Sequence, residues 1–98
     1  MICVMFDILL YAGKWERRRN SLRKDILMAL RSTRLGEPDS VKIEVLDGDP
    51  RVVVHVAISN EDCDAEAIVD LLHAAVLCRL CPQYESQVES EIICIRDD

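Results

Sequence analysis

The sequence predicts a single α+β domain over residues 1–98, built from four strands and two helices. Three observations predict this class. One run near the start is apolar at almost every position, two longer stretches repeat apolar residues every three or four positions, and two middle segments alternate apolar with polar residues. Half of the 98 residues are hydrophobic, so the chain can bury one core.

The first two predicted elements are a strand and a basic helix. Residues Cys3–Tyr11 are apolar on both pleat faces except at Asp7, which predicts a central strand covered on both sides or nearly so. Gly13 ends this run. From Trp15 to Arg34, apolar residues recur at helical spacing and form one stripe along the predicted helix. Most of the arginines and lysines lie outside this stripe. The stripe consists of Trp15, Leu22, Ile26, Ala29, Leu30 and Thr33.

Two short strands and a turn come next. Val41–Leu46 and Val52–Ile58 each place a valine or isoleucine at every second position, which is typical of strands with one buried face. Asp47–Pro50, between them, has the composition of a turn, so the two segments are predicted to form a hairpin.

A second helix and a last strand complete the prediction. Ser59–Asp62 is rich in helix-capping residues, and the helix is expected to start at Cys63 or Asp64 and to end near Leu80. Glu91–Arg96 is predicted as a short final strand. The expected buried stripe of the second helix is Ala67, Ile68, Leu71, Leu72, Ala75 and Leu77 or Cys78.

The order of elements is therefore β-α-β-β-α-β. Because crossover connections are right-handed, this order predicts a ferredoxin-like two-layer sandwich: a four-stranded antiparallel sheet with both helices on one face and the first strand in its interior. The other face is left uncovered, and Val53, His55 and Ala57 are expected to lie on it. A partner, or a second copy in a homodimer, is expected to cover that face.

Charge is unevenly distributed along the chain. Residues 13–35 carry eight Lys or Arg and two acids, whereas residues 36–98 carry four Lys or Arg and fifteen acids. A basic segment joined to an acidic body favours contacts with complementary, acid-rich protein surfaces. Nucleic acid is not expected, because the third predicted strand lacks the aromatic residues of RNA-binding domains with this topology. The candidate partner-binding residues are Arg17, Arg18, Arg23, Lys24, Val53 and His55.

The sequence offers little for catalysis or cofactor binding. It has no GxSxG motif and no glycine-rich phosphate loop, so no catalytic, cofactor-binding or metal-ligating residue is assigned. The five cysteines are expected to be reduced thiols in or near the core of a cytoplasmic protein, although Cys78 and Cys81 form a CxxC that leaves metal binding as an alternative. The N-terminal segment predicts a strand rather than a signal peptide, and no apolar run is long enough to cross a membrane.

One combination of residues resembles a known family. Tyr11-x-Gly13-x-Trp15 precedes an arginine-rich turn, a helix over Leu22–Leu30, a valine hairpin and a second helix that ends near Tyr84. This pattern is similar to a domain of kinetoplastid flagellum attachment zone proteins and related cytoskeletal proteins. The resemblance implies a non-enzymatic, cytoskeleton-associated module of a large scaffold, which binds other proteins such as coiled-coil scaffold proteins, and the chain is then expected to be one domain of a longer protein.

The leading hypothesis is thus a protein–protein interaction module of a flagellum-associated cytoskeletal scaffold. The alternative is a small-molecule or metal-binding regulatory domain of the same ferredoxin-like fold. An enzyme of the acylphosphatase type shares the topology, but it needs an arginine in a phosphate-binding loop after the first strand. The corresponding segment here, Tyr11–Lys14, has a lysine and one glycine.

Overall fold

A computed structural model describes residues 1–10, 19–46, 51–59, 63–80 and 86–95. The four strands form one open antiparallel sheet in the order β2-β3-β1-β4, which confirms the predicted α+β class and the interior position of β1. The elements, in chain order, are β1 (Ile2–Leu10), α1 (Arg19–Arg31), β2 (Ser40–Val45), β3 (Arg51–Ile58), α2 (Ala65–Leu80) and β4 (Ser86–Ile95).

Strand β1 contributes one of its two faces to the hydrophobic core. Successive side chains of a strand point to opposite faces, and in β1 the buried positions alternate strictly with partly exposed ones. The expectation that both faces of this strand are covered is therefore wrong, because only one of them is buried. The buried residues of β1 are Ile2, Val4, Phe6, Ile8 and Leu10, and the partly exposed ones are Cys3, Met5, Asp7 and Leu9.

Both helices contribute to the same core. The predicted stripe of α1 is confirmed for Leu22, Ile26, Ala29 and Leu30, which are buried. It is wrong for Thr33, which is only partly buried and follows the end of the helix, and Trp15 lies outside the described residues. The predicted stripe of α2 is wrong in part, because Leu71, Leu77 and Cys78 are exposed. Helix α2 is apolar almost all round, so several stripes fit its sequence. The stripe that faces the core repeats every fourth residue: Ile68, Leu72, Val76 and Leu80.

Helix α1 ends at Arg31, three residues earlier than predicted. The hydroxyl of Ser32 donates to the carbonyl oxygen of Ala29, 3.0 Å away, and the chain then turns. Gly36 has a φ of +84°, which residues with a Cβ adopt only at a cost, and its N–H bonds to the carbonyl of Thr33. The start of the predicted helix, at Trp15, lies outside the described residues.

Strand β4 is longer than predicted, since it begins at Ser86 rather than at Glu91. The added residues are mostly polar, which is why the sequence pattern indicates a loop there. Their backbone pairs with β1 nevertheless, and of their described side chains only Val88 is buried. The register shifts near the other end, where Ile92 faces Val4 and Cys94 faces Cys3, so that Ile93 is an extra residue in a β-bulge.

The hairpin agrees with its prediction. Strands β2 and β3 pair antiparallel in a continuous register from Ser40–Ala57 to Val45–Val52. The valines at every second position of β3 and Ile58 are buried, as expected. The predicted turn at residues 47–50 lies outside the described part of the chain. Neither helix in the described ranges has the length and the apolar content needed to cross a membrane.

The start of α2 gives a direct test of the fold. The N–H of Ala67 donates to a carboxylate oxygen of Asp64 at 2.8 Å, and the N–H of Ile68 donates to the carbonyl of Asp64, so Asp64 is the N-cap. We expect Asp64→Ala to lower the free energy of unfolding by about 1 kcal/mol in urea denaturation. Asp70→Ala removes the same charge from an exposed position inside the helix and is expected to be neutral or slightly stabilising. Equal losses in the two variants would contradict the cap.

Candidate interaction surface

On the face of the sheet opposite to the core, side chains of neighbouring strands lie side by side in rows. The strand register identifies the members of each row. The middle of this open face belongs to β3 and β1, whose residues here are mostly apolar and partly exposed. The outer strands contribute exposed charged residues. One row runs Lys42, His55, Met5 and Glu91, and the next runs Glu44, Val53, Asp7 and Glu89.

Two of the predicted partner-binding residues, Val53 and His55, lie on this open face. The basic residues lie elsewhere. Arg23 and Lys24 are exposed on α1, a helix whose buried residues join the core on the other side of the sheet, and Arg17 and Arg18 lie outside the described residues. The structure therefore places Arg23 and Lys24 on a different surface from Val53 and His55.

The charged residue in the middle of the open face is Asp7, which forms an ion pair with Arg51. The Nε atom of Arg51 lies 3.1 Å from Oδ1 of Asp7, and the two side chains are 49% and 32% exposed. This oxygen is buried and accepts no hydrogen bond of good geometry, so the attraction is mainly between the two charges. Glu89 lies directly opposite Asp7 on β4, and the guanidinium therefore also offsets the repulsion between two carboxylates.

The outer edge of β4 is the most exposed apolar part of the described sheet. Ile92, Ile93 and Ile95 are 36%, 50% and 61% exposed. Within the described ranges no further strand pairs with this edge, because β4 ends the sheet. Its sequence, SQVESEIICI, contains neither lysine nor proline, the two residues that most often protect an edge strand from pairing.

The opposite edge differs. Strand β2 has six residues, with Lys42 exposed near its middle, and its apolar residues Val41, Ile43 and Val45 are only partly exposed and pack against the core. The β4 edge could not be predicted from the sequence, because the position of a strand at an edge depends on the order of the strands in the sheet. A signal was present in EIICI, whose successive apolar residues do not alternate as a half-buried strand requires.

Three shallow pockets in the described part of the chain lie against β4. The smallest, of about 80 Å³, is lined by Asp7, Leu9, Arg51, Gln87 and Glu89. Of the other two, the first, on the open face, has a volume of about 160 Å³. The second, between α2 and β4, has a volume of about 280 Å³. Each combines carboxylates with apolar side chains, and neither is lined by a lysine or an arginine. The first is lined by Met5, Asp7, Glu89, Ser90 and Glu91, and the second by Glu66, Val69, Asp70, Ser90, Glu91 and Ile92.

The cysteines do not assemble into a site in the described residues. Cys3 and Cys63 are partly buried free thiols, whereas Cys78 is an exposed free thiol, so its predicted place in or near the core is wrong. The end of α2 is apolar on several sides, and its buried residues are Val76 and Leu80 rather than Cys78. Its CxxC partner, Cys81, lies outside the described residues. Among the described His, Cys, Asp and Glu side chains, no group of three or more is arranged to hold a metal ion.

The fold and these surfaces define a small α+β domain with an open sheet face and an apolar edge strand. In comparisons with known proteins, no family model and no curated protein matches the chain.

The ion pair on the open face can be measured by a double-mutant cycle. We expect Asp7→Asn and Arg51→Gln to show a coupling energy of about 0.2–1 kcal/mol in urea denaturation, reduced in high salt, because both side chains are partly exposed. Asp7→Asn combined with Lys42→Gln, two strands away, is the control and should be additive. A coupling of zero for the first pair, or equal couplings for both, would show that the contact contributes nothing specific.

Proposed function

We propose that the chain is a non-enzymatic protein–protein interaction module that binds its partner through the outer edge of β4. The observation that carries this proposal is the exposure of Ile92, Ile93 and Ile95 on a strand that ends the sheet. A partner strand would bury these side chains, which is worth roughly 25 cal/mol for each Å² of apolar surface removed from water, and would pair with the backbone of the edge.

We also propose that this module works in a cytoplasmic, flagellum-associated cytoskeletal scaffold. The Tyr11-Gly13-Trp15 pattern and the arginine cluster that follows it carry this part of the proposal, through the resemblance to flagellum attachment zone domains. An edge open to strand addition suits a domain that assembles with other proteins. Arg23 and Lys24, exposed on α1, provide a second surface that suits acid-rich partners.

The fold that we propose is the ferredoxin-like one. Read from the other edge, the strand order is β4-β1-β3-β2, and β1 and β3 are the inner strands. One buried cluster unites residues of both helices with alternate residues of the strands, which supports the placement of both helices on a single face. In this arrangement the helices leave the opposite face and the two edges of the sheet uncovered, which agrees with the proposed contact.

The alternative, a small-molecule or metal-binding regulatory domain, has less support. Small-molecule pockets usually have volumes of about 300–1,000 Å³ and are largely apolar. Three pockets lined by described residues have volumes of about 160, 80 and 280 Å³, and carboxylates line each of them. They therefore fit side chains of a bound protein better than an enclosed ligand.

Detergent extraction of flagellated kinetoplastid cells tests the proposed function. We expect the tagged chain to stay in the insoluble cytoskeletal fraction and Ile93→Lys to become extractable, because the lysine places a charge in the apolar contact. Leu77→Lys makes the same change at an exposed apolar position of α2 and should be retained. Circular dichroism of the purified variants checks that all of them fold.

The outcomes separate the two parts of the proposal. Complete extraction of the unchanged chain would contradict the cytoskeletal setting. Retention of Ile93→Lys together with Leu77→Lys would contradict the β4 edge as the contact, whereas release of both variants would show that any added charge on the surface suffices.

A further inference from the structure

The two larger pockets lie on opposite sides of the same edge strand. The open-face pocket contains Glu89 beside Met5, and the pocket toward α2 contains Glu66 and Asp70 beside Val69. Glu91 lines both of them. Each side of β4 therefore offers negative charge together with apolar surface.

An added strand would reach both pockets at once. Side chains of a strand alternate between the two faces of its sheet, so a strand paired to the outer edge of β4 places every second side chain over the open face and the others toward α2. Ile92 lines the pocket on the α2 side and is itself exposed, which gives an apolar contact there. The pocket positions thus fit the geometry of one extended segment.

In the described part of the chain, carboxylates outnumber basic residues around this edge. Within the same described ranges, no ion pair joins Glu66, Asp70, Glu89 or Glu91 to a lysine or arginine. Arg51, which lines the smallest pocket together with Glu89, forms its ion pair with Asp7. The described residues beside this edge therefore carry net negative charge, and a basic segment is the complementary partner.

The same charges disfavour a second copy of the chain at this edge. Pairing β4 with another β4 would bring Glu89 and Glu91 of both chains to one interface, where the like charges repel. Acidic residues beside an edge strand are a known protection against self-pairing. The charges therefore oppose the pairing of two β4 strands and favour an occupant of opposite charge.

We propose that the partner segment is an extended strand, rich in Lys or Arg and apolar residues on both of its faces, that adds to the outer edge of β4. This inference rests on the proposed function, since it names the chemistry of the partner that the β4 edge binds. The apolar side chains cover Ile92, Ile93 and Ile95, while the basic ones lie over the carboxylates on either side of the edge.

A synthetic peptide tests the inference. The probe is acetyl-Lys-Lys-Val-Val-Lys-Lys-Val-Val-amide, which presents two lysines and two valines on each face when it is extended. Titrated into the isotope-labelled chain, it should shift the backbone amide NMR signals of Ser86–Ile95 most strongly and slow the hydrogen exchange of those amides. A copy of the probe with alternate residues N-methylated keeps its charge, cannot pair as a strand and should not bind. A copy with Glu in place of Lys should also fail to bind.

Matched variants of the chain test the charges. We expect Glu91→Lys to weaken peptide binding about tenfold or more, since one reversed charge touches both pockets. Glu44→Lys makes the same change on the opposite edge strand and should leave the affinity unchanged. The inference would be overturned if the N-methylated peptide bound as tightly as the unmodified one, or if Glu91→Lys and Glu44→Lys changed the affinity equally. It would also be overturned if the largest amide NMR shifts lay on β2. Concentration-dependent shifts of β4 signals without peptide would show that the occupant is a second copy and would also overturn it.

The two proposals fail separately. If the peptide does not bind, while Ile93→Lys still releases the chain from the cytoskeletal fraction, the basic strand is the wrong partner but the interaction module stands. If the peptide binds β4 as expected and the unchanged chain is nevertheless fully extracted, the partner chemistry stands and the cytoskeletal setting is wrong.

Discussion

The pairing of β1 with two neighbours is the constraint on which the rest of the structure depends. Its register with β3 and β4 places Phe6 in the core and Asp7 on the open face. Because side chains alternate, a slip of one residue would move the whole apolar set to the open face and would bury a carboxylate. The register of this one strand therefore fixes both the core and the surface that remains for binding.

The inner side of β4 is held in place, whereas no described strand pairs with its outer side. On the inner side it pairs with β1, and Nδ1 of His73 on α2 lies 2.8 Å from the hydroxyl oxygen of Ser90. Helix α2 is in turn joined to α1 by an ion pair between Arg79 and Asp25, 3.4 Å apart, in which the Asp25 side chain is only 13% exposed. A strand fixed in this way presents its outer edge as an ordered template, and a partner strand that pairs with it does not have to order β4 first.

Much of the fold could be predicted because most elements carry a strong local pattern. The valines of β3 and the described stripe of α1 indicate their buried faces directly. Helix α2 is apolar on most sides, so its sequence did not reveal that Leu77 and Cys78 are exposed. The early start of β4 at Ser86 was missed for a related reason: backbone pairing with β1 makes a strand there, although local composition indicates a loop.

The candidate site was less predictable, because an edge exists only once the strands are ordered. At such an edge, the exposed isoleucines of β4 and the carboxylates beside it have complementary roles. An apolar edge without charge would pair with its own copies, and an acidic edge without apolar residues would gain little by binding. Glu89 and Glu91 next to Ile92 and Ile93 satisfy both requirements. The charges that disfavour pairing with a like strand therefore also favour a basic one, so protection from self-association and selection of a partner follow from the same few side chains.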